Sequence, residues 1–191
     1  GTRLVTRKRE GKEMTVKVWD VNAAREMFSV KDGKAGAGSY HVAFSRDGKQ
    51  IAVAMWKKIV LCDAQTGKEL RTIEKATITI DLAFSPDGER LAEASFEGDV
   101  NLYEVKTGRR ISSARGHAGM IIASAFSPDG KKGVSVGADG MVHIWDTKTG
   151  KEIRKLQGST HRLWTVAFAP DGRRVSGPVH GGDARGRRRE P

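Results

Sequence analysis

The sequence predicts an all-β fold built from about four repeating units, each a sheet of four short antiparallel strands. Three signals that share one period predict it. A pentad recurs as Phe44-Ser45-Arg46-Asp47-Gly48, Phe84-Ser85-Pro86-Asp87-Gly88, Phe126-Ser127-Pro128-Asp129-Gly130 and Phe168-Ala169-Pro170-Asp171-Gly172, and its phenylalanines stand 40, 42 and 42 residues apart. Alternating segments recur as Val16-Lys17-Val18-Trp19-Asp20, Ile59-Val60-Leu61-Cys62-Asp63, Val100-Asn101-Leu102-Tyr103-Glu104 and Val142-His143-Ile144-Trp145-Asp146. Three of these run into Thr66-Gly67, Thr107-Gly108 or Thr149-Gly150. The first is followed by Asn22-Ala23-Ala24 and lacks the glycine.

Each signal has a local cause. Proline presets φ, aspartate bonds its own backbone and glycine accepts positive φ, so the pentad is a turn between two apolar runs. Alternation with β-branched and aromatic residues marks half-buried strands. One period therefore holds strand a before the Asp-Gly turn, strand b after it, strand c ending at Trp-Asp, and strand d after the Thr-Gly turn. Four antiparallel strands about every 40 residues make one blade of a β-propeller.

Taken in order, Gly1–Thr6 matches a strand b without a preceding strand a (compare Gly88–Ala92), so the chain is expected to begin inside a blade and to form a partial propeller. Residues 7–13 are expected to form a long, charged b–c loop. The segment 31–39 is glycine-rich but lacks the Gly-Lys-Ser/Thr end of a phosphate loop, and is assigned as a d–a connection. In the blade of 40–74, Cys62 takes the tryptophan position and is expected to be a buried apolar residue without a catalytic role. In the blade of 79–114, Glu97 and Tyr103 stand at the aspartate and tryptophan positions. Glu93 falls mid-strand, where a buried carboxylate needs a partner. The blade of 121–157 is the most regular. Strands at 163–168 and 173–176 begin another unit, and residues 177–191 form a basic tail expected to be disordered.

With Trp-Asp, the Asp-Gly pentad and Gly116-His117 in phase, the chain resembles the WD-repeat family over residues 1–176. The resemblance implies a β-propeller with blades near 1–30, 40–74, 79–114 and 121–157 and a partial one at 163–176. It also implies that His117, Ser135, Asp139 and Trp145 form a structural hydrogen-bonding tetrad. A Ser/His/Asp set also suits a hydrolase, but no Gly-x-Ser-x-Gly elbow accompanies it, so bracing is the reading adopted and no catalytic residue is assigned.

Composition narrows the function classes. Of the net charge of +11, residues 1–17 and 173–191 each carry six basic and two acidic side chains, which leaves +3 for the body. No apolar stretch approaches the roughly 18 residues of a membrane span, and no membrane partner is expected. A lone Cys62 excludes an internal disulfide framework and fits a reducing, cytoplasmic compartment. His41, His117, His143, His161 and His180 lack ligand spacing in the sequence, so no metal site and no cofactor are expected. Three functions are consistent with these features. The first is a non-catalytic scaffold that binds protein or peptide through the propeller face and rim loops. The second is a propeller portion of a larger protein with a kinase or hydrolase domain, and the third is nucleic-acid binding through the basic ends. Without aromatic residues among the arginines, the last stands behind the first.

Overall fold

The computed structural model describes residues 2–10, 13–32, 41–75 and 77–177. Among these residues, seventeen strands fall into successive antiparallel sheets. The first blade is β1 (Arg3–Glu10), β2 (Glu13–Asp20) and β3 (Arg25–Asp32). The second is β4 (Val42–Phe44), β5 (Gln50–Ala54), β6 (Lys58–Asp63) and β7 (Glu69–Glu74). The third is β8 (Thr79–Phe84), β9 (Arg90–Ser95), β10 (Asp99–Glu104) and β11 (Arg110–Arg115). The fourth is β12 (Ile121–Phe126), β13 (Lys132–Gly137), β14 (Met141–Asp146) and β15 (Glu152–Gln157). A last pair is β16 (Ala167–Phe168) and β17 (Val175–Ser176). No helix occurs among the described residues.

Each blade meets the next through one apolar cluster. Val16 and Val18 of β2 pack on Ile51 and Val53 of β5. Ile59 and Leu61 pack on Leu82 and Leu91, Leu102 on Ile121 and Trp145, and Val134 and Val136 on Leu163 and Val166. Strands clad on both faces need apolar residues on both, which is why Ile59–Cys62 is continuously buried. A polar staple joins the inner strands of the third and fourth blades: the Ser124 amide and hydroxyl donate to Asp81 at 2.8 and 3.0 Å.

The turns show why the repeat is spelled as it is. Ser45 and Ser127 are buried; each donates to the aspartate two residues on at 2.6 Å, and each accepts the amide five residues on at 2.9 Å. The last copy has Ala169 in place of serine, but its Gly172 amide still donates to the Ala169 carbonyl at 2.9 Å. The aspartate ending strand c builds the next turn: Asp63 accepts from the Thr66 amide and hydroxyl at 2.8 Å each, and Asp146 from those of Thr149 at 2.7 and 2.8 Å. In the first blade Ala24 holds φ 48° where Gly67 holds 74°, so the turn survives without its glycine.

Three expectations are corrected. Residues 7–10 are not a loop: β1 and β2 run eight residues each, in register from Arg3↔Asp20 to Glu10↔Glu13, so the extra positions lengthen the hairpin. Of the strand expected at 163–168, only Ala167–Phe168 is laddered, although Leu163 and Val166 are buried against the fourth blade. Strand b, expected at 173–176, is reduced to Val175–Ser176. Within the array, β16 pairs with β17 and β1 with β2, so the propeller is open. The glycine-rich segment 33–39 and residues 178–191 of the basic tail lie outside the described residues.

Candidate functional site

The fourth blade gathers the residues singled out in the sequence. His117 sits in the loop between β11 and β12, Ser135 on β13, Asp139 in the turn between β13 and β14, and Trp145 on β14. His117 Nδ1 lies 3.0 Å from Asp139 Oδ1, and its Nε2 lies 2.9 Å from Ser135 Oγ. Asp139 also accepts the Ala118 amide at 3.0 Å and the Met141 amide at 3.1 Å. Burial pushes the Asp139 carboxyl up, but the His117 hydrogen bond and the two amides outweigh it and hold it below its usual value. Burial pulls the His117 imidazole below its ordinary value, against the opposing pull of Asp139.

Trp145 departs from the expected tetrad. Its ring is buried, but its indole N–H has no acceptor among the described residues, although the Ser135 hydroxyl, bonded to His117, keeps a lone pair that could accept it. The ring instead lies over Gly133, its cross-strand partner, where an added Cβ would come within 2.2 Å of the indole. The first blade makes the bond that the fourth omits: Trp19 Nε1 donates to Thr6 Oγ1 at 2.7 Å.

His143 is the member that sequence reasoning missed. It stands directly opposite Ser135 in the β13–β14 ladder, and its ring lies 4.0 Å from that of His117, centroid to centroid. Its Nδ1 is 2.5 Å from Glu152 Oε2 on β15. Gly116 leaves room for that pair, since a Cβ there would sit 3.1 Å from both Glu152 Oε2 and His143 Nδ1. The signal was present: two residues apart on one strand, His143 and Trp145 share a face.

The third blade answers the question posed by Glu93. The carboxylate is fully buried on β9 and accepts from Thr79 Oγ1 at 2.7 Å, Thr77 Oγ1 and Tyr103 OH at 3.1 Å, and Asn101 Nδ2 at 3.3 Å. Lys75 Nζ lies 3.8 Å from it, its side chain only 1% exposed. Burial lowers the Lys75 ammonium's pKa, while Glu93 and Glu97 oppose that shift. Burial, and then the neighbouring Glu93 carboxylate, raise that of Tyr103. In the second blade the same places are apolar: Cys62 lies opposite Ile51, and burial lifts its thiol to about 11, which leaves it un-ionised at neutral pH.

A concavity among the described residues lies outside these networks. A groove of about 510 Å³ runs between the second and third blades, with Leu61 and Val105 at its base and Leu70, Arg71, Glu89 and Glu104 among its walls. Leu70 is 48% exposed.

Comparison with known proteins agrees with the blade geometry. Residues 108–146 match the family described as WD domain, G-beta repeat. The chain is 30% identical over 95 residues to WD repeat-containing protein SL1-17 of Schistosoma mansoni, a stretch covering 48% of this chain and 32% of that protein. It is 33% identical over 84 residues to WD repeat-containing protein 82 of Drosophila melanogaster, covering 41% of this chain and 26% of that one. The matched stretches thus span about a third or less of these relatives' length.

Proposed function

We propose that the chain, whose blades match the WD-repeat family, is a non-catalytic scaffold that docks a protein segment in the groove between its second and third blades. One observation carries the reading. A half-exposed Leu70 lines the groove together with buried Leu61 and Val105, and charges of both signs (Arg71, Glu89, Glu104, Lys106) share its lining. Such a floor takes an apolar side chain, and such walls orient an extended peptide by its flanking charges. The groove is of the size that ligand-binding clefts commonly have, roughly 300–1,000 Å³. Strands hold it rigidly, so little ordering entropy is lost on binding.

The buried Ser/His/Asp set supports the same reading. Ser135 is 1% exposed, and its hydroxyl is spent on His117. A nucleophile must reach substrate, whereas a brace must not. The groove is tested by selecting peptide ligands from a displayed library against the purified chain and measuring their affinity for Leu70→Asp. Loss of at least about tenfold is expected, equivalent to about 1.4 kcal/mol. Ligands that bind the variant as tightly as the parent would place recognition elsewhere.

A further inference from the structure

We propose that His143, His117 and Asp139 form a binding site for a borderline divalent transition metal, with Zn²⁺ as the natural fit. One nitrogen from each imidazole and one carboxylate oxygen lie within 4.8 Å of one another. The argument turns on the tautomer of His143. Its Nδ1 faces the Glu152 carboxylate at 2.5 Å, a geometry that places a hydrogen on Nδ1. In the neutral ring this leaves a lone pair on Nε2. That Nε2 is buried, has no hydrogen-bond partner among the described residues, and lies 4.0 Å from Asp139 Oδ2. Two acceptors facing each other across that gap repel unless a positive charge lies between them.

A carboxylate behind an imidazole that presents its free nitrogen is the arrangement by which proteins orient metal-ligating histidines. His117 joins by exchanging its Nδ1–H hydrogen bond to Asp139, at 3.0 Å, for the metal. The Ser135 hydroxyl either donates or accepts, so His117 can hold its hydrogen on Nε2 and turn a bare Nδ1 toward the same point. Two imidazoles and a carboxylate are borderline-soft and hard donors, a set that suits Zn²⁺ and Co²⁺ and leaves a fourth position open. The rival occupant of the gap is a second proton on His143, which would bridge Glu152 and Asp139 without a metal.

The full chain, stripped with chelator, is titrated with Co²⁺ and with Zn²⁺ near neutral pH. The proposal predicts one equivalent bound, with the intensified visible absorption of four-coordinate Co²⁺ that Zn²⁺ then bleaches. His143→Gln is expected to abolish that absorption, and Glu152→Gln, which keeps all three ligands, to weaken binding about 10–100-fold. His161→Gln, at an exposed position, is expected to leave both unchanged. Circular dichroism establishes whether His143→Gln is folded; if it is not, Glu152→Gln decides alone. Absence of tight binding, or affinity indifferent to Glu152→Gln, would overturn the assignment in favour of the proton.

Discussion

Lys75, Glu93, Glu97 and Tyr103 stand 42 residues before His117, Ser135, Asp139 and Trp145, so the third and fourth blades put different chemistry at the same four places. The fourth blade uses an imidazole between a hydroxyl and a carboxylate. The third buries a carboxylate among hydroxyls, an amide and an ammonium. The blades nonetheless share topology and register: Ser135 pairs with His143 as Glu93 pairs with Asn101. The position demands satisfied polarity, or none at all as at Val53 and Val60 of the second blade, rather than a given residue type. The two solutions differ in what their loss costs. A neutral hydrogen bond is worth about 1 kcal/mol net, whereas an uncompensated buried charge costs several.

The comparison breaks most sharply at Lys75. Lys75→Met leaves the Glu93 carboxylate buried with hydroxyl and amide donors but without its cation. A loss of about 3–5 kcal/mol in the urea-denaturation free energy is expected. The double variant Lys75→Met/Glu93→Gln is expected to recover part of that loss, because the buried charge is gone. If Lys75→Met unfolds at the parent's urea concentration, Lys75 does not neutralise the carboxylate.

A smaller effect separates the blades by pH. The folded-state pKa of His117 lies below its unfolded value, so between that lowered value and about 6.5 the unfolded chain binds more protons. Stability falls as pH drops through that window. His41 adds to the slope: burial, and then Arg7, lower its pKa to about 4, so its share is lost between about 6.5 and 4. The polar network of the third blade contains no histidine. Amide exchange followed from pH 7 to 5 is expected to lose protection in β12–β15 before β8–β11. Equal loss in both blades would remove the distinction.

Much of the blade pattern was legible because turn chemistry and strand alternation are local. Asp-Gly and Thr-Gly corners, Trp-Asp strand ends and the 40–42-residue spacing located all five sheets, the last longer than it is. What was not legible depends on pairing. The hairpin of β1 and β2 looked like a loop because its alternation is carried by Arg, Lys and Glu rather than by apolar residues. The partners of Glu93 come from two strands and a loop, and only Tyr103 was conspicuous in the sequence. His143 was hidden because its role depends on Glu152, reached through the β14–β15 ladder. The unpaired indole of Trp145 depends on where the ring settles against Gly133 across the ladder, and no sequence pattern records that.

Ser135→Ala tests most directly whether the fourth blade's polar set is a brace. The substitution leaves His117 Nε2 buried with no hydroxyl opposite it, and urea denaturation of the full chain is expected to show a loss of about 1–3 kcal/mol. Denaturation at the parent's midpoint and slope would mean that Ser135 supports nothing in the fold, and the scaffold account would lose its explanation for a buried Ser/His/Asp set.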